Sequence, residues 1–275
     1  MSTFKISPEQ VKSYQEDGFL LVKSLFTKEE TKLIYETSTE DEAIKQNTYD
    51  LLDKKGNKTK LALWYAAGDD VFGMLSRSER MVNTVESLLG APIAHFHSKV
   101  MQKEPKVGGA WEWHQDYGYW YKSGFLFPDM LSVYIALTPA TKENGCLQVI
   151  KGSHKMGRIG HGLTGEQVGA DIERVEQCLR IREKIYCEMQ PGDALFFHCN
   201  LLHTSEMNVS EKPRWSIISA YNLATNVPYK EAHPSCTAPL QKVPDEMILK
   251  VGKKGLDVTV NDVSGKNNTS VLQNN

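Results

Sequence analysis

The N-terminal part of the chain carries hydrophobic spacing and capping patterns that are typical of helices. Ser7-Pro8-Glu9-Gln10 combines an N-cap, a proline at the first helical position and a capping-box glutamine. This predicts a helix over residues 8–18, ended by glycine. A second capping box predicts a helix over 28–38, and an amphipathic stretch predicts another over 78–89. The polar stretch 39–60 has neither pattern, and we expect a loop or mobile lid there.

From Pro92 onward the pattern changes to short β-like runs. Apolar, β-branched and aromatic residues gather in segments bounded by Gly, Pro, Asn and Asp, and a similar run occurs earlier at 19–22. Strands at such spacing predict a mainly β fold, a sandwich or barrel, with flanking α-helices. The later strands are expected at 93–104, 111–117, 131–138, 146–150, 185–189, 194–200 and 214–222.

Three further segments complete the predicted organisation. The Asn144-Gly145 pair favours a type I′ hairpin, so its flanking strands should be antiparallel neighbours. Residues 171–182 are charged with apolar positions at helical spacing, which predicts a solvated surface helix. Beyond Asn222 the chain is rich in Pro, Lys, Gly and Asn. We expect a single domain over 1–256 and a flexible tail over 257–275.

The composition excludes several classes of protein. Lys plus Arg 32 against Asp plus Glu 34 gives a net charge of −2, so no global field attracts nucleic acid or an anionic membrane. There is no run of eighteen apolar residues and no apolar signal segment, so we expect neither secretion nor membrane insertion. The five cysteines are odd in number and lack a C-x-x-C spacing, which favours a reducing, cytoplasmic compartment. A small molecule is the expected partner, and no obligate protein partner is inferred.

Trp113-His114-Gln115-Asp116 is the most informative segment of the chain. Successive side chains of an extended strand point to opposite faces, so His114 and Asp116 should emerge on the same side. A second imidazole from a distant strand would complete a metal site. Two imidazoles and one carboxylate with open coordination positions form the ligand set that holds non-haem Fe(II) for O2 chemistry.

Residues far downstream supply candidates for the rest of this site. His203 is the candidate third ligand, although His198 in the preceding strand is an alternative. Arg214 follows His203 by eleven positions, and its planar guanidinium suits the far carboxylate of a dicarboxylate cosubstrate. His95 and His97 share one face of a regular strand and could form a second metal pair.

Aromatic residues surround the proposed ligands, and most such clusters belong to a protein core. Tyr117, Trp120 and Tyr121 follow Asp116 into a glycine-containing segment at the rim of the site. We expect these three side chains to line the substrate pocket.

Residues 90–222 contain five short sequence blocks in a characteristic order and spacing: Trp113-His114-Gln115-Asp116, Glu143-Asn144-Gly145-Cys146-Leu147, Gly152-Ser153-His154, Pro191-Gly192-Asp193 and His203-x10-Arg214. In these blocks the chain resembles the phytanoyl-CoA dioxygenase family of Fe(II)- and 2-oxoglutarate-dependent oxygenases. The resemblance implies a double-stranded β-helix, a cupin-like jelly roll whose two sheets enclose the metal, with helices packed outside.

The resemblance also implies roles for individual residues. His114, Asp116 and His203 correspond to the Fe(II) ligands, and Arg214 to the residue that pairs with the distal carboxylate of 2-oxoglutarate. The implied reaction consumes O2 and 2-oxoglutarate, releases succinate and CO2, and hydroxylates an unactivated C–H bond. Desaturation and oxidative cyclisation share the first hydrogen abstraction and stay open, whereas the presence of Asp116 argues against a halogenase.

Further cosubstrate contacts follow from the same resemblance. Ser205 stands where the family has a hydroxyl that assists the arginine, and Tyr134 stands where relatives have an aromatic residue lining the cosubstrate pocket. Strand 95–104 should add another contact, for which Lys99 and Gln102 are the candidates. Because they are separated by an odd number of residues, they face opposite sides of a regular strand and at most one fits.

Two other classes of function remain as alternatives. The first is a catalytically silent member of the fold that only binds a ligand. The second is a zinc hydrolase, since the same ligands suit Zn²⁺, but Arg214 and Ser205 have no evident role there. No basic patch indicates a coenzyme A thioester, so we expect a free small-molecule substrate.

Overall fold

A computed structural model of the chain describes residues 4–164 and 166–264. Its helices are α1 (Pro8–Asp17), α2 (Lys28–Glu40), α3 (Glu42–Asn47), α4 (Val71–Arg77), α5 (Glu79–Leu89), α6 (Asp116–Trp120), α7 (Ile172–Ile181), α8 (Met247–Lys250) and α9 (Val258–Asn261). Its strands are β1 (Phe19–Val22), β2 (Tyr49–Leu52), β3 (Lys58–Trp64), β4 (Ile93–Lys103), β5 (Trp111–His114), β6 (Met130–Ala136), β7 (Leu147–Ile150), β8 (His161–Thr164), β9 (Gln167–Ala170), β10 (Lys184–Cys187), β11 (Ala194–His198), β12 (His203–Ser205), β13 (Arg214–Leu223) and β14 (Val263–Ser264).

Both predicted N-terminal helices begin at the capping boxes that the sequence indicates. The backbone N–H of Gln10 donates to Ser7 Oγ (3.3 Å), and the N–H of Ser7 donates back to Gln10 Oε1 (2.8 Å). Thr27 and Glu30 form the same pair of bonds at the start of α2. Each box satisfies N–H groups that a helix end otherwise leaves unpaired, so local sequence determines where these helices start.

Two antiparallel sheets form the body of the molecule. The larger sheet has the order β1-β11-β6-β13-β4-β3-β14, with β2 added to β3, and the smaller sheet has the order β10-β7-β12-β5. Tyr134 and Phe197 of the larger sheet pack with Leu147 and Val149 of the smaller one, so the two sheets face each other across a shared core. The predicted mainly β jelly roll is therefore confirmed.

Helices cover the outer face of the larger sheet. Ile34 of α2, Phe72 of α4 and Val82 of α5 share a fully buried cluster with Val133 and Phe196 of the sheet. Burial of each such side chain contributes about 1.5–3 kcal/mol relative to leaving it exposed. This apolar layer makes the larger sheet a rigid wall behind the site.

An ion pair joins two of these helices beneath the surface. The Arg80 guanidinium of α5 contacts both carboxylate oxygens of Glu30 of α2, at 2.5 and 3.1 Å. Arg80 also donates to the carbonyl of Leu25. Both side chains are buried, and Asp245 Oδ1 lies 3.2 Å from Arg80 Nε as a second, more exposed carboxylate, so the loss of Arg80 would leave Glu30 with a large desolvation cost.

The predicted loop or lid at 39–60 is wrong. The segment contains α3, β2 and the start of β3, and these two strands pair as an antiparallel hairpin. In β2, Tyr49 and Leu51 are buried and alternate with less buried neighbours. In β3, Leu61 is buried and the preceding residue, Lys60, is less buried. This alternation of period two is a strand signal that the polar composition of the stretch obscured.

The predicted hairpin at Asn144-Gly145 is also wrong. The strands on either side, β6 and β7, belong to different sheets. Gly145 has φ 74°, but Asn144 does not share this left-handed conformation, which a type I′ turn requires at both positions. Instead the Asn144 side chain accepts from the N–H of Thr141 and donates to the carbonyl of Pro139, closing a loop that crosses between the sheets.

The end of the described chain is more ordered than predicted. Residues 257–264 contain α9 and β14, and β14 pairs with β3 through Val263 and Trp64. The side chain of Asn261 is buried and donates to Asp70 Oδ2 at 2.8 Å. The rest of the predicted tail, 265–275, lies outside the described residues. In the described part of the chain, no helix is long and apolar enough to cross a membrane.

Candidate active site

Three side chains converge between the sheets: two come from the neighbouring strands β5 and β12, and one comes from the start of α6. His114 ends β5, His203 begins β12, and their Cα atoms are register partners. Asp116 Oδ1 lies 3.8 Å from the Nε2 atom of each imidazole. One donor atom from each residue lies within 4.8 Å of the others. Since nitrogen and oxygen ligands contact such metals at about 2.0–2.2 Å, a single ion fits between them with small adjustments.

The arrangement of His114 and Asp116 differs in one respect from the predicted strand. Residues 111–117 were expected to be one strand, but β5 ends at His114 and α6 begins at Asp116. Gln115 between them is still extended, with φ −115° and ψ 135°. One extended residue is enough to bring its two neighbours to the same side, so the convergence survives the earlier end of the strand.

Hydrogen bonds orient the side chains of all three candidate metal ligands. Nδ1 of His114 contacts the carbonyl of Glu112 at 2.7 Å, and Nδ1 of His203 contacts that of Leu201 at 2.9 Å. A carbonyl can only accept, so each Nδ1 carries the proton and each Nε2 presents its lone pair to the site. Ser132 donates to Asp116 Oδ2 at 2.6 Å, which leaves Oδ1 free.

Burial keeps both imidazoles in the neutral form that binds metals. It lowers the pKa of His114 well below its usual value, and the neighbouring His203 lowers it further. Burial also lowers the pKa of His203, although the carboxylate of Asp116 opposes this shift. Neutral imidazoles need not lose a proton before they coordinate a cation.

An inner cavity of about 40 Å³ extends from this triad into the space between the sheets. Arg214 lies at its far end, only 2% exposed, where its guanidinium donates to the carbonyl of Gly145. Arg214 Nε and the hydroxyl of Tyr134 are buried and have no hydrogen-bond partner among the described residues. Such orphaned polar atoms in a cavity are explained by a ligand that accepts from them, and a carboxylate does so.

Ser205 and Lys99 line the same inner cavity, whereas Gln102 does not. Gln102 lies on the opposite face of β4, in a surface groove with Lys60 and Trp215. The predicted role of Gln102 as a cosubstrate contact is therefore wrong, because the alternation of strand side chains turns it away. Ser205 accepts a hydrogen bond from a lysine rather than contacting the arginine that it was expected to assist.

A second, outer cavity of about 70 Å³ meets the inner one at the triad. Both cavities are lined by Lys99, Trp111, His114 and Asp116. The outer cavity is otherwise mostly aromatic and aliphatic, lined by Tyr49, Leu51, Leu61, Leu63, Tyr65, Phe96, His97, Tyr119 and Trp120. Burial lowers the pKa of Lys99, and the carboxylate of Asp116 partly restores it.

Of the three predicted substrate contacts, only Trp120 lines the outer cavity. Tyr117 is buried in an adjacent cluster and donates to the carbonyl of Phe125, and Tyr121 is 44% exposed beside Arg158. The expectation for Tyr117 and Tyr121 is therefore wrong. Because α6 is helical, residues three and four positions after Asp116 share its face, whereas Tyr117 and Tyr121 form a separate pair on another face.

The other candidate histidines do not join the triad. Nδ1 of His198 accepts from the backbone N–H of Asn200 at 3.0 Å, and burial lowers its pKa to about 4. His95 and His97 do not share a face, because β4 and β13 shift register between them. His95 contacts the hydroxyl of Ser98 and the carbonyl of Tyr65, whereas His97 lines the outer cavity.

The sequence did not indicate two parts of the site: the residues of β2 that line the outer cavity, and a histidine that holds the backbone between two of the candidate ligands. Tyr49 and Leu51 lie in the supposed loop, where their period-two spacing was the available signal. His161 accepts from the backbone N–H of Gln115 at 2.9 Å and donates through Nδ1 to the carbonyl of Ile159. It thus holds the residue between the two ligands His114 and Asp116. This contact spans 46 positions of the chain, and no local pattern indicates it.

Comparisons with known proteins point in one direction. A family model described as phytanoyl-CoA dioxygenase (PhyH) matches residues 14–216. An ectoine dioxygenase of Bordetella parapertussis is 28% identical over 236 residues, which cover 80% of this chain and 77% of the relative. An L-proline trans-4-hydroxylase of Streptomyces griseoviridis is 34% identical over 182 residues, 60% of this chain and 67% of the relative. The crystal structure of EctD from S. alaskensis with bound Fe aligns with a TM-score of 0.72 at 22% identity, covering 87% of this chain and 89% of that one, and so shares its fold.

Proposed function

Since the chain belongs to the phytanoyl-CoA dioxygenase family, we propose that His114, Asp116 and His203 are its Fe(II) ligands and that Arg214 receives the distal carboxylate of 2-oxoglutarate. The predicted family and activity are confirmed: the chain is an Fe(II)- and 2-oxoglutarate-dependent dioxygenase that oxidises a small molecule. The individual residue roles and the finer substrate class are our proposals.

One observation carries the assignment of residues. Two cavities of different character meet at the triad, one closed by a buried guanidinium and the other lined by aromatic side chains. A dicarboxylate fits the first, because its far end meets Arg214 and its near end reaches the metal ligands. The second leaves space for a substrate on the other side of the same ligands. A zinc hydrolase gives no reason for a buried arginine at the end of a separate cavity.

The side chains divide the work between binding, orientation and exclusion of water. Ser132 holds Asp116 so that Oδ1 faces the metal position, and two backbone carbonyls hold the imidazoles. When bound, iron and 2-oxoglutarate would together supply the activation of O2. One oxygen atom would enter the succinate formed as 2-oxoglutarate loses CO2, and the other would be inserted into a C–H bond of the substrate. Lys99 stands where the two cavities meet, so its ammonium can neutralise a carboxylate beside the metal.

The outer cavity favours a compact substrate. Its volume of about 70 Å³ is small beside the 300–1,000 Å³ typical of drug-sized ligand sites. Aromatic and aliphatic walls from β2, β3 and α6 enclose it. We therefore propose hydroxylation of a free molecule of amino-acid size, comparable to the L-proline that one relative hydroxylates.

The test is release of succinate by purified protein supplied with Fe(II), 2-oxoglutarate and a panel of compact amino and imino acids. We expect one class of compound to stimulate release. Asp116→Ala should abolish the stimulated turnover, whereas the control Asp129→Ala, which removes an exposed carboxylate from the next loop, should leave it unchanged. If the unchanged protein shows no Fe(II)-dependent turnover and does not bind 2-oxoglutarate, the proposal is wrong.

The cysteines support a reducing, cytoplasmic location, which we also propose. All five are free and buried; Cys146 and Cys187 share one core cluster, and Cys199 and Cys236 share another. Burial raises the pKa of the thiol of Cys146 to about 11 and of Cys187 to about 12, so neither is a reactive thiolate. Expression of a tagged protein followed by cell fractionation would test this location.

A further inference from the structure

A buried lysine lies behind the closed end of the inner cavity. Lys103 is fully buried at the end of β4, and its Cα is the register partner of the Cα of Arg214 on β13. It lies on the same face of β4 as Lys99, two alternations further along the strand. The side chains of Lys103 and Arg214 thus lie together at the end of the space between the sheets.

All hydrogen-bond partners of this ammonium group are neutral oxygens. Lys103 Nζ donates to Ser205 Oγ at 2.8 Å, to the carbonyl of Ser205 at 3.3 Å and to that of Glu206 at 2.5 Å. Burial lowers its pKa well below the usual range, and the nearby guanidinium of Arg214 lowers it further. Burial of a lysine without a carboxylate is costly, so a role in ligand binding is a reason to keep it there.

The contact with Ser205 has a directional consequence. Nζ contacts three oxygens, two of them carbonyls that only accept; the charged form of Lys103 has one N–H for each, and in that form Ser205 Oγ is the acceptor and keeps its own proton for another partner. Ser205 lines the inner cavity together with Arg214 and Tyr134. The polar groups that can receive a ligand at this end are therefore all donors.

We propose that Lys103 is a positioning residue for the cosubstrate: by donating to Ser205 Oγ, it turns the Ser205 hydroxyl proton toward the distal carboxylate of 2-oxoglutarate. The inference rests on the proposed function, which places that carboxylate beside Arg214. The simpler possibility is that Lys103 only ties the segment after β12 to β4. The two roles differ in their dependence on the distal carboxylate.

The experiment compares two ligands that differ in this group alone. Calorimetric titration under anaerobic conditions measures binding of 2-oxoglutarate and of 2-oxopentanoate, which lacks the distal carboxylate, to Fe(II)-loaded protein. Lys103→Met should weaken binding of 2-oxoglutarate roughly ten- to hundredfold, the range of a lost hydrogen bond to a charged group, and leave 2-oxopentanoate unaffected. Lys106→Met is the matched control, because Lys106 contacts the same loop through Val209 and Glu211 on the exposed side.

A double-mutant cycle tests whether Lys103 acts through Ser205. Ser205→Ala should produce a loss of the same kind, and adding Lys103→Met to it should cost little more. Lys103→Gln retains a donor without the charge and replaces the methionine variant if that variant does not fold. It should bind 2-oxoglutarate more tightly than Lys103→Met.

Each outcome decides the inference. Equal losses for the two ligands, no loss for either, additive effects in the cycle, or failure of both Lys103 variants to fold would reduce Lys103 to a structural tie and overturn it. Absence of 2-oxoglutarate binding by the unchanged protein would contradict the proposed function instead.

Discussion

Mild acid should destabilise this protein through its buried histidines. All eight histidines of the chain have a lowered pKa, and burial is the first cause in every case. For His95 and His198, which do not belong to the triad, burial lowers the pKa from 6.5 to about 4. The contact of His198 agrees with this, because its Nδ1 accepts from the N–H of Asn200 and so carries no proton; for His95 the carbonyl of Tyr65 at Nδ1 opposes the effect of burial only in part.

The sign and size of the effect follow from these values. Below pH 6.5 the unfolded chain binds a proton at each site that the folded chain refuses until about pH 4, so folding becomes less favourable as the pH falls. Above pH 6.5 the stabilisation from keeping these groups neutral is fully present. At pH 5 each site should cost about 2 kcal/mol, and the pair about 4 kcal/mol, of a total stability of roughly 5–15 kcal/mol.

The assay is urea unfolding of the metal-free protein between pH 7 and pH 5. Carboxyl groups of ordinary pKa, about 4, titrate below this range and contribute little. We expect the free energy of unfolding to fall steeply. His198→Asn retains a side-chain acceptor but cannot bind the proton, and it should reduce the slope by up to about 1.4 kcal/mol per pH unit. A wild-type protein equally stable at both ends, or a variant with the wild-type slope, would refute the reasoning.

Three further substitutions test the site and its support. Tyr134→Phe removes an unpaired hydroxyl from the inner cavity and should weaken 2-oxoglutarate binding about tenfold in calorimetry; unchanged affinity would show that the hydroxyl does not reach the ligand. His161→Phe removes the acceptor for the backbone N–H between two ligands and should weaken Fe(II) binding roughly tenfold in a competition assay with a chelator, whereas equal metal affinity would show that His161 does not support the site. Glu30→Ala leaves Arg80 only the more exposed carboxylate of Asp245 and should cost about 1.5–3 kcal/mol in denaturant unfolding, against little change for Glu29→Ala on the exposed side of the same turn; similar stabilities would contradict a role for the buried pair.

Much of the fold follows from local patterns. The capping boxes at Ser7 and Thr27 define where two helices start, and the apolar runs from residue 93 onward mark the main strands within a few residues. These patterns are readable because they depend on neighbours three or four positions apart, or on alternation along a strand. The hairpin at Asn144 failed for the opposite reason, since the partners of β6 and β7 are chosen by distant strands.

The sequence by itself determined the two capped N-terminal helices, the main strands after residue 92, the family and the three residues that converge between the sheets. His114 and Asp116 approach each other through one extended residue, which is a local property of the backbone. Only the tertiary structure decided which other side chains face that point. Tyr119 and Trp120 face it and Tyr121 does not because the chain turns into α6, and Lys99 faces it and Gln102 does not because the two sheets enclose one side of β4. Lys103 meets Ser205, and His161 meets Gln115, across long stretches of chain, because packing of the sheets and loops sets these distances.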